Sequence, residues 1–277
     1  MSESAGPVRA PGACAVLLVS LAALLLPPTV AANVPTGFLD RTVKLGDEVF
    51  RYQVYVPSDY SASKTWPVIV SLHGNGRQGS DGMLQTGTDF AAHIRENRAP
   101  FESIVVFPQA KAGTRWFYPA MEQLVMAELD RTISEFRVDP ARVYLQGYSM
   151  GGTGSYRLAA KWPDRFAAVV VVAGRVTAGA NYTAEEIEID GTTNPAVAAP
   201  DPFSAFAAKL GKTPLWIFHG DADAVVPVDD SRKLVAALKE IGAPVRYTEL
   251  PGADHMDAPA KTYADPELFR WLFAQRR

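Results

Sequence analysis

The chain has 277 residues, 48% of them apolar and 21% charged, a composition that suits a globular protein with enough apolar mass for one substantial core. Its formal net charge is −3 and its Lys and Arg residues form no dense cluster, which argues against a phosphate-tracking surface and so against nucleic acid as a partner. The single cysteine, Cys14, excludes a disulfide framework within the chain.

Residues 15–26 are a mostly apolar run, followed by Pro27-Pro28 and the small-residue stretch Val30-Ala31-Ala32. This is the pattern of a secretory leader over residues 1–32, and it places the mature protein outside the cell or in the periplasm. The run, about 12 residues against the roughly 20 of a bilayer span, predicts no stable membrane insertion once the leader is removed, with an uncleaved anchor as the alternative. Cys14 would leave with it, so a thiol nucleophile and a cysteine metal site are both excluded from the mature chain. The expected organisation is a leader, 1–32, and one α/β domain, 33–277.

In chain order, 43–45 and 49–56 alternate apolar and polar residues and stop at Pro57, as an antiparallel strand pair would. Residues 67–72 are almost all apolar, which predicts a strand covered on both faces, and they run into His73-Gly74-Asn75-Gly76. A helix over 89–97, a buried strand over 103–107, a loop bearing Trp116, Phe117 and Tyr118, and a helix over 124–136 follow. Then come a strand over 143–146, the segment Gly147-Tyr148-Ser149-Met150-Gly151-Gly152, a helix to Lys161 and a strand over 168–173. Between 174 and 208 the periodicity lapses, which predicts an insertion, either a partial cover of the site or a solvated excursion. Order returns with strands over 214–218 and 245–250 and helices over 231–241 and 266–275. The alternation of strand and helix predicts a mostly parallel sheet with helices on both faces, preceded by the antiparallel pair.

Gly147-Tyr148-Ser149-Met150-Gly151 lies between a strand and a helix, where a sharp turn exposes the serine hydroxyl and glycines remove side chains that would collide. Alone, the pattern is an ordinary turn as readily as a nucleophile elbow. Two later strand ends carry the rest of a triad: His219-Gly220-Asp221-Ala222-Asp223 and Gly252-Ala253-Asp254-His255. A serine hydroxyl is a poor nucleophile at its own pKa, so His255 is expected to take its proton as general base. Asp223 is expected to orient that imidazole, with Asp221 as the rival acid, and Asp254 to cap its loop. His73 and His219, each ahead of a glycine, are expected to brace the site loops, and His93 to sit on a helix surface. No metal-ligand spacing such as His-x-x-x-His occurs, so no metal is expected. A developing oxyanion needs backbone donors, expected from Met150 and from Asn75 or its neighbour Gly74. Trp116, Phe117 and Tyr118 are expected either to wall an acyl or aryl group or only to pack their loop, and Trp116 and Tyr148 are the candidates for substrate contact.

Leu72-His73-Gly74-Asn75-Gly76, the Ser149 segment, His219-Gly220 through Pro227 and Gly252 to His255, in that order, resemble the dienelactone-hydrolase-like branch of the α/β-hydrolases. Within it, the chain is similar to the secreted esterases called predicted peptidases, and to feruloyl esterases and polyhydroxybutyrate depolymerase-like enzymes. The resemblance extends to Arg51 through Pro57, Asp139 through Tyr144 and Tyr263 through Leu268, and leaves 174–208 unmatched. It implies an α/β-hydrolase fold, Ser149 as nucleophile, Asp223 as acid, His255 as base, Asn75 and Met150 as oxyanion donors, and no cofactor. It implies as substrate a small or polysaccharide-linked carboxylic ester, short-chain or aryl, such as acetyl or hydroxycinnamoyl. Two other readings stay open: a serine peptidase of the prolyl-oligopeptidase-like type, and a binding protein on an inactive hydrolase fold.

Overall fold

Eight strands make one sheet: β1 (Gly37–Leu45), β2 (Glu48–Val56), β3 (Trp66–Leu72), β4 (Ile104–Phe107), β5 (Val138–Tyr148), β6 (Ala168–Val172), β7 (Leu215–Gly220) and β8 (Val245–Leu250). Their spatial order is β1-β2-β4-β3-β5-β6-β7-β8. The pairs β1/β2 and β2/β4 are antiparallel and every other pair is parallel. This computed structural model describes residues 34–96, 99, 101–177 and 201–277, with Met1, Ser2 and Gly6. The expected leader, Cys14 and the middle of the 174–208 stretch lie outside the described residues.

The period-2 alternation of the strands divides the core between the two faces. Val68, Val70, Val143, Leu145, Val169, Val171, Leu215 and Ile217 point to one face. There they meet α2 (Pro119–Glu135), α3 (Met150–Lys161), α4 (Pro202–Leu210) and α5 (Val228–Glu240). Ile69, Val105, Tyr144, Val170, Val172, Trp216 and Phe218 point to the other. They meet α1 (Asp89–Glu96), α6 (Asp257–Tyr263) and α7 (Pro266–Ala274). With both faces covered, the central strands have no polar face, which is why they read as unbroken apolar runs.

Among the boundaries that differ from the sequence expectation, three have a local cause. Helix α2 starts at Pro119, because proline at the first helical position loses no intrahelical hydrogen bond. Strand β5 starts at Val138, and its register against β3 shifts between Trp66 and Val68. The intervening Asp139 accepts from Ala141 N at 3.0 Å and from Arg142 Nε at 2.9 Å, a local turn that breaks the strand pattern. Third, the end of the expected insertion is ordered: α4 begins at Pro202, capped by Asp201, whose carboxylate accepts from Phe203 N and Ser204 N. Helix α6 was too short for its periodicity to show in the sequence. Among the described residues no helix is long and apolar enough to cross a membrane.

Candidate active site

Ser149 sits between β5 and α3 with φ 55° and ψ −117°, one of two described non-glycine residues with positive φ. Such a conformation costs of order 1–3 kcal/mol and persists only where the surroundings over-determine it. Here they do: Ser149 N donates to Val172 O of β6 at 2.9 Å, and Ser149 O accepts from Thr153 N of α3 at 2.9 Å. The turn is tight enough that a Cβ on Gly151 would stand 2.0 Å from Leu72 O. That contact is the physical reason for a glycine two residues after the serine, and it draws the end of β3 against the elbow.

The loops after β7 and β8 come to the same edge of the sheet. Ala222 N donates to Ala253 O at 3.1 Å, and a Cβ on Gly220 would stand 2.1 Å from that carbonyl, so only glycine lets the two loops meet. His255 Nε2 lies 2.9 Å from Ser149 Oγ, and its Nδ1 lies 2.7 Å from Asp223 Oδ2. Because a carboxylate accepts, Nδ1 carries the hydrogen, which leaves Nε2 free to accept from the serine hydroxyl. His255 and Asp223 are buried while Ser149 is partly exposed, so solvent and ligand reach the relay from the serine side.

The Asp223 carboxylate is held on all sides. Oδ1 accepts from Val225 N and Val226 N, each at 2.8 Å. Burial pushes this carboxyl up, but the hydrogen bonds from His219, His255 and the two backbone groups outweigh it and hold it well below the usual carboxylate range. The rival Asp221 faces away: its Oδ1 accepts from Gly252 N at 2.7 Å in an exposed turn. Asp254 Oδ1 accepts from Met256 N and Asp257 N at 2.8 and 2.9 Å and caps the start of α6.

His73 is buried, with Nδ1 2.7 Å from Gly74 O and Nε2 accepting from Ala110 N at 3.1 Å. Burial lowers it to about 4, so it is a neutral brace for the loop that carries Asn75. Gly74 packs against the Tyr148 ring, which puts this loop beside the elbow. Asn75 is exposed, and its side-chain Oδ1 accepts from Gln78 Nε2 at 2.8 Å, which holds the side chain against the loop and leaves the backbone N–H as the candidate donor to a ligand. Met150, as the first residue of α3, has no intrahelical acceptor for its own N–H.

Trp116 is corrected. It was expected to contact substrate, yet it is fully buried, its indole donating to His73 O at 2.9 Å and its ring 4.8 Å from the His73 imidazole. Phe117 is buried as well, so the aromatic run supports the loop from below, and an apolar core position explains it as well as a pocket wall would. Tyr148 stands at the site, its ring 5.0 Å from the His255 ring and its hydroxyl donating to His255 O at 2.8 Å. His93 is half-buried and stacks on Phe269 with 5.3 Å between ring centroids, so it belongs to the aromatic packing under α7. What sequence reasoning missed is the direct contact of His219 with Asp223, for which a histidine four residues before the acid was the available signal.

Chemically, the arrangement can move one proton from Ser149 Oγ to His255 Nε2 while Asp223 holds the charge that appears on the imidazole. Among the described residues no cluster of His, Cys, Asp and Glu side chains could hold a metal ion.

Three comparisons bear on this arrangement. Acetylxylan esterase A of Emericella nidulans is 26% identical over 212 residues, 69% of this chain and 65% of that protein. Feruloyl esterase B of Thermothelomyces thermophilus is 24% identical over 265 residues, 88% of this chain and 89% of that protein. A solved structure described as a thermostable esterase superposes with a TM-score of 0.67 at 28% identity, over 87% of this chain and 63% of its own. The chain thus spans about two thirds of the acetylxylan esterase and of the thermostable esterase. The sheet order, its antiparallel opening pair and these neighbours make this an α/β-hydrolase fold. The prolyl oligopeptidase family matches residues 122–276, more than half of the chain, from within α2 through α7 and including Ser149, Asp223 and His255, so the chain belongs to that family.

Proposed function

We propose that this protein is an exported serine ester hydrolase that works through an acyl-enzyme on acetyl or hydroxycinnamoyl esters. The observation that carries the reading is the relay Ser149 Oγ, His255 Nε2 at 2.9 Å, then His255 Nδ1 to Asp223 Oδ2 at 2.7 Å, under a serine held at positive φ. The esterase relatives support the ester class, and the leader pattern of residues 1–32 supports export.

Ser149 Oγ attacks the ester carbonyl carbon as its proton passes to His255 Nε2, and the carbonyl π pair moves onto oxygen. The backbone N–H groups of Met150 and Asn75 receive that oxyanion. Collapse restores the carbonyl and breaks the bond to the alkoxy oxygen, which takes the proton from His255 and leaves as alcohol. Water then attacks the acylated Ser149 with His255 again as base, and releases the acid. Tyr148 and the exposed Met256, whose sulfur is 3.6 Å from the Tyr148 hydroxyl, offer apolar surface beside the reacting serine.

Hydrolysis of p-nitrophenyl acetate and methyl ferulate, with a fluorophosphonate probe attached to Ser149, tests the reading. A protein that turns over neither ester and takes no probe would refute it. The family membership keeps a serine peptidase as the second reading. Faster cleavage of peptide p-nitroanilides than of the matched esters would favour it.

A further inference from the structure

We propose that His219 is a positioning residue of the relay, the second N–H donor to the Asp223 oxygen that orients His255; the inference rests on the hydrolase reading above. His219 lies at the end of β7 with no exposed surface. Its Nε2 is 2.9 Å from Val226 O and 3.3 Å from Asp223 Oδ2. A carbonyl oxygen only accepts, so Nε2 carries the hydrogen, and that N–H is shared between Val226 O and the carboxylate. On the other side of the ring, Nδ1 lies 2.7 Å from the buried Ser231 Oγ of α5, so the imidazole is anchored on both sides.

A carboxylate offers about four lone-pair directions. Here Oδ1 meets Val225 N and Val226 N, and Oδ2 meets the two imidazoles, so every direction faces an N–H. Rotation of the Asp223 carboxylate would break bonds on both oxygens, and its charge is divided between two rings. His219 therefore fixes where the acceptor for His255 stands and moderates how strongly it holds a proton on His255. Asp223 and Ser231 touch it, and Glu249 is its register partner on β8, itself engaged by Arg232 and Tyr247. Near Ser231 stand Asp230, which accepts from Val176 N, and the Tyr156 hydroxyl of α3.

The test compares His219→Ala and His219→Gln with the wild type in the full chain, on p-nitrophenyl acetate, with active sites counted by the fluorophosphonate. Alanine removes the donor, and kcat per titrated site is expected to fall about 10- to 100-fold, with KM within about twofold. With the whole Asp223 charge turned on His255, the imidazolium persists to higher pH, so the acidic limb of kcat/KM moves up. Glutamine returns an N–H near the Nε2 position and is expected to recover most of kcat and restore the limb. Ser231→Ala, which leaves His219 present but unanchored, is expected to move the limb in the same direction by less, and serves if the alanine variant does not fold. The inference is overturned if His219→Ala matches the wild type per site, if glutamine does no better than alanine, or if the limb stays in place in every variant. A wild type that neither hydrolyses ester nor takes the probe refutes the hydrolase reading itself, whereas an active wild type with an indifferent His219→Ala overturns this inference alone.

Discussion

The Tyr148 hydroxyl donates to the backbone carbonyl of His255 at 2.8 Å, so the residue immediately before Ser149 holds the loop that presents the His255 imidazole to Ser149. The elbow and the β8 loop are thus tied through one side chain as well as through the relay. Tyr148→Phe keeps the ring on His255 and removes this tie together with the weaker 3.6 Å contact of the hydroxyl with the Met256 sulfur. It is expected to lower kcat about 5- to 10-fold, the cost of one hydrogen bond, with the protein still folded and Ser149 still labelled by a fluorophosphonate. Steady-state kinetics with a thermal melt on the same sample checks this.

The positive φ of Ser149 opposes stability in favour of chemistry. Ser149→Gly relieves the strain and removes the proposed nucleophile. Hydrolysis is expected to fall by about 10^4-fold or more, while the urea midpoint rises by the equivalent of about 1 kcal/mol. Equilibrium unfolding of variant and wild type at pH 7.5 decides it, and a less stable glycine variant would show that the turn is not strained.

His73 links pH to stability through burial. Its folded value is lowered to about 4, whereas an unfolded histidine titrates near 6.5. Between those values the unfolded chain binds the extra proton, so stability rises with pH across the window and is lost as pH falls from about 6.5 toward 4. The loss attributable to this group is at most about 3 kcal/mol. His73→Gln is expected to flatten that slope, read as urea midpoints at pH 7.5, 5.5 and 4.5.

Glu128 of α2 is completely buried, and neither carboxyl oxygen has a hydrogen-bond partner among the described residues. Burial pushes it well above the usual carboxylate range, so it is held as the neutral acid in the fold. The unfolded carboxyl ionises above about pH 4.3, so this position disfavours folding progressively as pH rises. Glu128→Gln, neutral and of the same shape, is expected to raise the urea midpoint at pH 8 and to change it little at pH 4. Equal shifts at both pH values would contradict the assignment.

Much of the site was legible because its signals are local. Ser149 between two glycines, an apolar strand before it and helical spacing after it are all short-range patterns, as is the run of apolar residues ending at His73. Trp116 was misplaced because an aromatic residue after a strand end reads alike whether it lines a pocket or packs beneath a loop. Burial against His73 and under α3 is a long-range fact. Helix α4 escaped because its proline and acid read as loop residues, although Asp201 and Pro202 form a helix start once the following segment packs on α5 and the sheet.

By itself the sequence determined the order and kind of the elements apart from α4 and α6, the tight turn at Ser149, and the aspartates and histidines on later strand ends, because periodicity and glycine placement are properties of neighbours along the chain. Only the tertiary structure decided that Asp223 and not Asp221 faces His255, that His219 shares the same carboxylate oxygen, and that Tyr148 ties the base loop to the elbow. Those choices depend on the parallel register of β7 with β8 and on the Gly220 to Ala253 approach that sets their loops together, and a register between strands is written in no single stretch of residues.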